Sequence, residues 1–338
     1  MRRGAGAYPD FLGIGAQKAG TTWLYRNLEA HPEIWMPPRK EIHYFDARNR
    51  QGRGLLYGLF GRSDEDRNWR GRIFGSVKAY ALDKPSLENL LWDLRYHTGG
   101  LDDEWYASLF EPGKGKVAGD ITPSYSVLDH DAVARVYDLI PEAKVIFLMR
   151  NPIERIWSQI VMSFDRTEQG SAGSIAKGRL IRRSERESPR KLTDYLQTLK
   201  TWNYFYPEDR IFVGFLEDVS LFPGELLERL YGFLEVDSSY RPLDLEKKVH
   251  TRSVGRIPVR IAARLAEDYR GEIADLSERL GGYTDFWLYC AGRLAEDPPP
   301  GVHVPYPFIE SSLWPDWVNS AGEPRGARSG TLDRLQAG

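Results

Sequence analysis

Four short apolar runs punctuate the first two thirds of the chain: FLGIG (11–15), KVAG (116–119), AKVIFLM (143–149) and RIFVGFLE (210–217). Their length and continuity are those of strands buried on both faces of a parallel sheet. Between them, apolar residues recur at helical spacing in TTWLYRNLEAH (21–31) and PIERIWSQIVMSF (152–164). Each of these segments directly follows a strand and a turn, so both open helices. Their first turns face the carboxyl edge of the sheet, where open α/β folds bind ligands.

Two stretches break the pattern. Residues 48–75 are rich in Arg and Gly, and residues 165–191 combine Gly, Ser and charge with little apolar periodicity, so both read as insertions. The tail from about residue 296 carries DPPPG and HVPYPF and is expected to wrap the surface and then fray. At 338 residues the chain suffices for one large core. The expected organisation is a single domain over 1–295, with insertions at about 48–115 and 165–191, followed by a tail over 296–338.

With 41% hydrophobic and 28% charged residues the composition is that of an ordinary globular protein. A net charge of −2 favours neither nucleic acid nor an anionic membrane as partner. The single cysteine, Cys290, rules out an internal disulfide and a cysteine metal cluster, and reads as a buried structural thiol. The start lacks the apolar stretch of a secretory signal and no run reaches transmembrane length, so the expected location is the cytoplasm.

The segment FLGIGAQKAGTTWLYRNL sets Gly15, Lys18, Gly20, Thr21 and Thr22 between a strand and a helix. Small residues let the backbone approach an anion, the first N–H groups of the helix point at it, and the helix dipole favours its charge. Lys18 adds a movable cation and the threonines add hydroxyl donors. A Walker loop reads GxxxxGK[ST], whereas here Thr21 follows Gly20 and the lysine comes two residues earlier. A phosphate cradle and an ordinary strand-to-helix turn both fit this loop taken alone.

In VIFLMRNPIERIWSQIVMSF, Arg150 closes a strand and Ser158 follows about two turns into the helix, while Pro152 suits the first helical position. Arginine there can fork onto a phosphate that Ser158 also reaches, although an arginine at a strand end is more often solvated or ion-paired. In PPRKEIHYFD (37–46), an extended backbone would put Glu41 and His43 on one face and Lys40, Ile42 and Tyr44 on the other. A carboxylate beside an imidazole suits a general base, and a surface strand with alternating charges has the same pattern.

QKAGTTWL resembles the 5′-phosphosulfate loop of sulfotransferases that use 3′-phosphoadenosine 5′-phosphosulfate (PAPS), and RNPIERIWS resembles their 3′-phosphate motif. KEIHYFD is similar to the catalytic segment of the heparan sulfate type. The resemblance implies an α/β fold with a P-loop-NTPase-like parallel sheet flanked by helices, PAPS as sulfuryl donor, and no metal. It implies that Lys18 contacts the bridging oxygen, with Ala19, Gly20, Thr21, Thr22 and Trp23 completing the loop. Arg150 and Ser158 would grip the 3′-phosphate, and Glu41 would be the base with His43 beside it. Arg155 and Trp157 are given structural roles. HTRSVGRIP (250–258) sits where the family places a loop that closes over the cofactor, with Thr251 and Arg252 as contacts. GDITPSYS (119–126) matches the acceptor-side segment, so Ser124 and Tyr125 would line the acceptor pocket, although Ile121 stands where heparan sulfate enzymes carry a lysine.

The implied reaction moves a sulfuryl group to a hydroxyl or amine of a carbohydrate, lipid or small-molecule natural product. The alternatives are a nucleotide-dependent kinase on the same fold and a protein that binds PAPS without turnover. The basic stretch KGRLIRRSERESPRK (177–191) is either a dock for an anionic acceptor or a solvated insertion.

Overall fold

The first apolar run forms β1 (Phe11–Gly15), which passes through a tight loop into α1 (Thr21–Glu29) and a short β2 (Ile34–Trp35). The computed structural model describes residues 7–46, 87–165, 190–243 and 256–321. After the first gap come α2 (Leu87–Thr98), α3 (Asp103–Ser108), β3 (Val117–Ile121) and α4 (His130–Leu139). The third run forms β4 (Lys144–Met149), continued by Arg150 into α5 (Pro152–Asp165). Next are α6 (Tyr195–Asn203), β5 (Ile211–Phe215), α7 (Leu216–Leu221) and α8 (Pro223–Leu234). The carboxyl part holds β6 (Arg256–Pro258), α9 (Val259–Leu280), α10 (Tyr283–Glu296), β7 (His303–Pro305) and α11 (Leu313–Ala321).

The main sheet is parallel throughout, in the order β2-β3-β1-β4-β5. Phe11 of the central strand stands opposite Gly119 on one side and Lys144 on the other. β1 is buried along its whole length and β4 from Val145 to Met149, which is why both read as unbroken apolar runs. A Cβ on Gly119 would lie 2.0 Å from the Phe11 ring, so no side chain fits between these two strands. From β1 the chain winds to one side through β2 and β3, then crosses to β4 and β5 on the other. The loops after β1 and β4 therefore part around a crevice at the carboxyl edge.

Two stretches expected outside the main core contribute to it. Within the supposed insertion 48–115, Trp92, Trp105, Tyr106 and Phe110 are buried in the core, and Tyr106 stacks on Tyr44 with ring centroids 4.2 Å apart. In the tail from residue 296, β7 pairs antiparallel with β6, and Val304, Phe308, Leu313 and Trp317 are buried in the same core. Apolar residues spaced through a Pro-rich segment pin it down without giving it a helical or strand period.

Cys290 is fully buried, and burial pushes its thiol up in pKa. Most of the basic stretch 177–191, and Thr251 and Arg252, lie outside the described residues. Among the described residues no helix is long and apolar enough to cross a membrane, and no three His, Cys, Asp or Glu side chains group as metal ligands.

Candidate active site

The loop after β1 turns on Gly20, whose backbone is left-handed (φ 89°). Glycine takes this conformation without penalty, and a Cβ there would also meet Leu216 Cδ1 at 3.1 Å. The α1 ladder begins with Leu24 N donating to Gly20 O at 3.0 Å, so the N–H groups of Thr21, Thr22 and Trp23 precede it and face the loop. No acidic residue stands in this first turn to compete for an anion. The side chains of Ala19 and Trp23 are buried, so these residues can offer a ligand only their backbone.

Arg150 joins this loop to the second motif. Its Nη1 donates to the Lys18 carbonyl at 2.9 Å and its Nε to Glu154 Oε2 at 3.2 Å. Arg150 is only 7% exposed, so the Glu154 carboxylate both balances its charge and fixes the plane of its fork. Beneath it, burial and the charge of Glu154 push Glu217 up to about 8, which leaves Glu217 a neutral acid at pH 7. The helical repeat sets Glu154, Ser158 and Met162 on one face of α5. Glu154 meets Arg150, Ser158 hydrogen-bonds the Tyr306 hydroxyl, and Met162 Sδ lies 3.7 Å from Lys18 Nζ. Arg155 and Trp157 on the same helix are buried.

The segment 37–46 is not extended. Glu41 and His43 both have left-handed backbones, with φ of 68° and 59°. Two such non-glycine residues so close together are uncommon, and contacts from elsewhere hold them. Glu41 N donates to Ile121 O at 3.2 Å, and Tyr44 N donates to the Tyr125 hydroxyl at 2.9 Å. Tyr125 is itself fully buried and donates to Asp120. It braces the segment from behind. Burial pushes Asp120 up to about 6, against the hydrogen bonds of Thr122, Tyr125 and Tyr106.

The turned backbone nevertheless brings Glu41 and His43 together, with Glu41 Oε2 3.6 Å from His43 Nε2. On the other side of the ring, Nδ1 is 2.7 Å from Asp46 Oδ2, which also accepts from Ser124 Oγ at 2.5 Å. These two carboxylates, Asp46 first, raise His43 to about 9 despite partial burial. The bond from His43 and the charge of Lys40 hold Glu41 down to about 2 against desolvation. At neutral pH the pair is thus carboxylate and imidazolium. Lys40 Nζ reaches both Glu41 Oε1 (3.1 Å) and Thr21 Oγ1 (3.0 Å), which ties this segment to the anion loop.

Lys18, Thr21, Thr22, Arg150 and Ser158 therefore gather at one edge of the sheet, with Glu41, His43 and Ser124 beside them. Sequence reasoning missed Lys40, Asp46, Glu154 and Tyr306. Asp46 closes the quoted KEIHYFD motif, and Glu154 stands four residues after Arg150, so both had a local signal. Tyr306 had none. A separate cleft of about 530 Å³, lined by Asp10, Pro141 and Leu234, lies at the opposite edge, where Lys144 and Arg210 are already paired with Glu235 and Glu142.

A parallel sheet with a glycine-turned loop after one strand, a buried arginine after its neighbour and a carboxylate–imidazole pair alongside is an arrangement that suits a group transferase. The chain belongs to the sulfotransferase family, whose pattern matches residues 9–240. It is 27% identical over 155 residues to the membrane-associated sulfotransferase kil1 of Dictyostelium discoideum, covering 45% of this chain and 22% of that protein. It is 24% identical over 275 residues to the bifunctional heparan sulfate N-deacetylase/N-sulfotransferase of Drosophila melanogaster, covering 73% of this chain and 22% of that protein. The chain thus spans about a quarter or less of the length of the curated relatives it matches. The fold is shared with a sulfotransferase from Alicyclobacillus acidocaldarius, with a TM-score of 0.53 and 24% identity over 80% of this chain and 95% of that one.

Proposed function

We propose that this sulfotransferase takes its sulfuryl group from PAPS and delivers it to a hydroxyl or amine of a carbohydrate, lipid or small-molecule acceptor. The observation that carries the reading is the bond from Arg150 to the Lys18 carbonyl, which makes one surface of two anion-binding motifs. A nucleotide with phosphates at both its 3′ and 5′ positions needs two such sites at one edge. The loop order, with Thr21 directly after Gly20, supports this donor over ATP with magnesium.

In this reading the α1 N–H groups, Thr21 and Thr22 receive the 5′-phosphosulfate, while Arg150 and Ser158 receive the 3′-phosphate. Glu41 takes the proton from the acceptor, whose oxygen or nitrogen attacks sulfur in line. The bond from sulfur to the bridging oxygen breaks, and its electron pair leaves with adenosine 3′,5′-bisphosphate. Lys18 neutralises the charge growing on that oxygen. His43, held by Asp46 and Ser124, keeps Glu41 ionised and oriented.

Incubation with PAPS carrying isotopically labelled sulfate and a panel of acceptors tests the proposal. A labelled product heavier by one sulfuryl group is expected. Stronger binding of ATP with magnesium than of adenosine 3′,5′-bisphosphate would favour phosphoryl transfer instead. Tight binding of the bisphosphate with no transfer to any acceptor would favour a binding protein.

A further inference from the structure

Tyr306 lies beyond the residues matched by the family, in the Pro-rich segment that follows β7. Its hydroxyl accepts a hydrogen bond from Arg150 Nη2 and another bond links it to Ser158, while the Arg150 guanidinium stacks over its ring at 4.8 Å from the centroid. The two residues read as the 3′-phosphate grip thus converge on one oxygen of the chain itself. Of the other guanidinium nitrogens, Nε serves Glu154 and Nη1 serves the Lys18 carbonyl.

From this convergence we infer that Tyr306 is a built-in competitor of the 3′-phosphate: its hydroxyl occupies the place of a 3′-phosphate oxygen, and only a nucleotide bearing a 3′-phosphate displaces it. The inference rests on the reading of Arg150 and Ser158 as the 3′-phosphate pair.

Displacement is a rotation of one side chain, because the backbone around Tyr306 is anchored. β7 is paired with β6, and Phe308 N donates to Glu154 Oε1 at 2.5 Å, so the strap is tied to the carboxylate that holds Arg150. Burial raises the pKa of the phenol, so it stays neutral at pH 7. The exchange therefore replaces a neutral acceptor with an anionic one, which the guanidinium attracts by its charge and can grip with two parallel N–H groups. A nucleotide without a 3′-phosphate brings nothing that takes Arg150 from the phenol. It meets a site already filled.

Tyr306→Phe keeps the ring under Arg150 and removes only the competing oxygen. Calorimetry on the full chain compares adenosine 3′,5′-bisphosphate with adenosine 5′-phosphate, for wild type and variant. The expected result is bisphosphate binding tighter by about tenfold in the variant, the factor one hydrogen bond to a charged group is worth, with the 5′-phosphate unchanged. Unchanged or weaker bisphosphate binding overturns the inference, and weaker binding makes Tyr306 a ligand of the phosphate. Should the Phe variant not fold, Tyr306→Leu is read by the same sign. A wild type that binds both nucleotides equally defeats the donor reading itself, a result separate from either outcome for Tyr306.

Discussion

Replacing Glu41 by Gln keeps the size of the side chain and removes the carboxylate 3.6 Å from His43 Nε2 and 3.1 Å from Lys40 Nζ. If this carboxylate takes the acceptor proton, turnover falls by about 10² or more, equivalent to about 2.7 kcal/mol of transition-state stabilisation. Affinity for adenosine 3′,5′-bisphosphate stays within about twofold, because the base touches the acceptor and not the nucleotide. The wild-type pH profile carries the second half of the test. Glu41 is ionised above about 2 and His43 stays charged up to about 9, so neither changes state between those limits. Single-turnover transfer is then flat from about pH 5 to about pH 8. A neutral imidazole acting as base predicts the opposite, since only about 1% of it exists at neutral pH and the fraction grows about tenfold per pH unit. In Glu41→Gln, His43 keeps Asp46 at 2.7 Å, so its NMR titration moves down from about 9 but stays above the ordinary 6.5. A wild-type rate climbing tenfold per unit refutes the assignment. So does a Glu41→Gln enzyme that works at near-normal rates while His43→Ala fails.

Arg150→Ala removes the donor to the Lys18 carbonyl, Glu154 and Tyr306 together, so calorimetry should show bisphosphate binding weaker by about 10- to 100-fold. The same variant loses about 3 kcal/mol or more in denaturant unfolding, because Glu154, 3% exposed, is left as a buried carboxylate without its cation. Asp120 is raised from 3.8 to about 6 in the fold, so the folded state holds more protons than the unfolded one between those values. Its contribution to stability therefore falls as pH rises through that window, by about 3 kcal/mol in all. Unfolding of Asp120→Asn measured across the same window should lack that component, and identical pH dependence in both proteins would contradict it.

The strands and the two motif helices follow from local physics: an apolar run buried on both faces, a 3.6-residue repeat, a glycine where the backbone must turn left-handed, an arginine at a strand end. Those signals lie within about a dozen residues of one another. They set the loop at 15–23 and Arg150–Ser158 at strand-to-helix turns, the family resemblance singled them out as candidate sites, and the parallel sheet brings them to one edge. What tertiary structure decided depends on partners far away in the chain. The left-handed turn at Glu41 and His43 is held by a tyrosine hydroxyl 81 residues beyond Tyr44, so alternation alone gave the wrong backbone there. Tyr125, expected at the acceptor pocket, is fully buried and braces this turn. The charge states of Glu41 and His43 come from their own bond and from Lys40 and Asp46, near neighbours in sequence that the turned backbone packs around the pair. Arg150 meets Tyr306 across 156 residues, through a tail whose composition reads as loose coil. Core burial of Val304, Phe308 and Leu313 holds it in place, because apolar burial acts through space and leaves no period in a segment broken by proline.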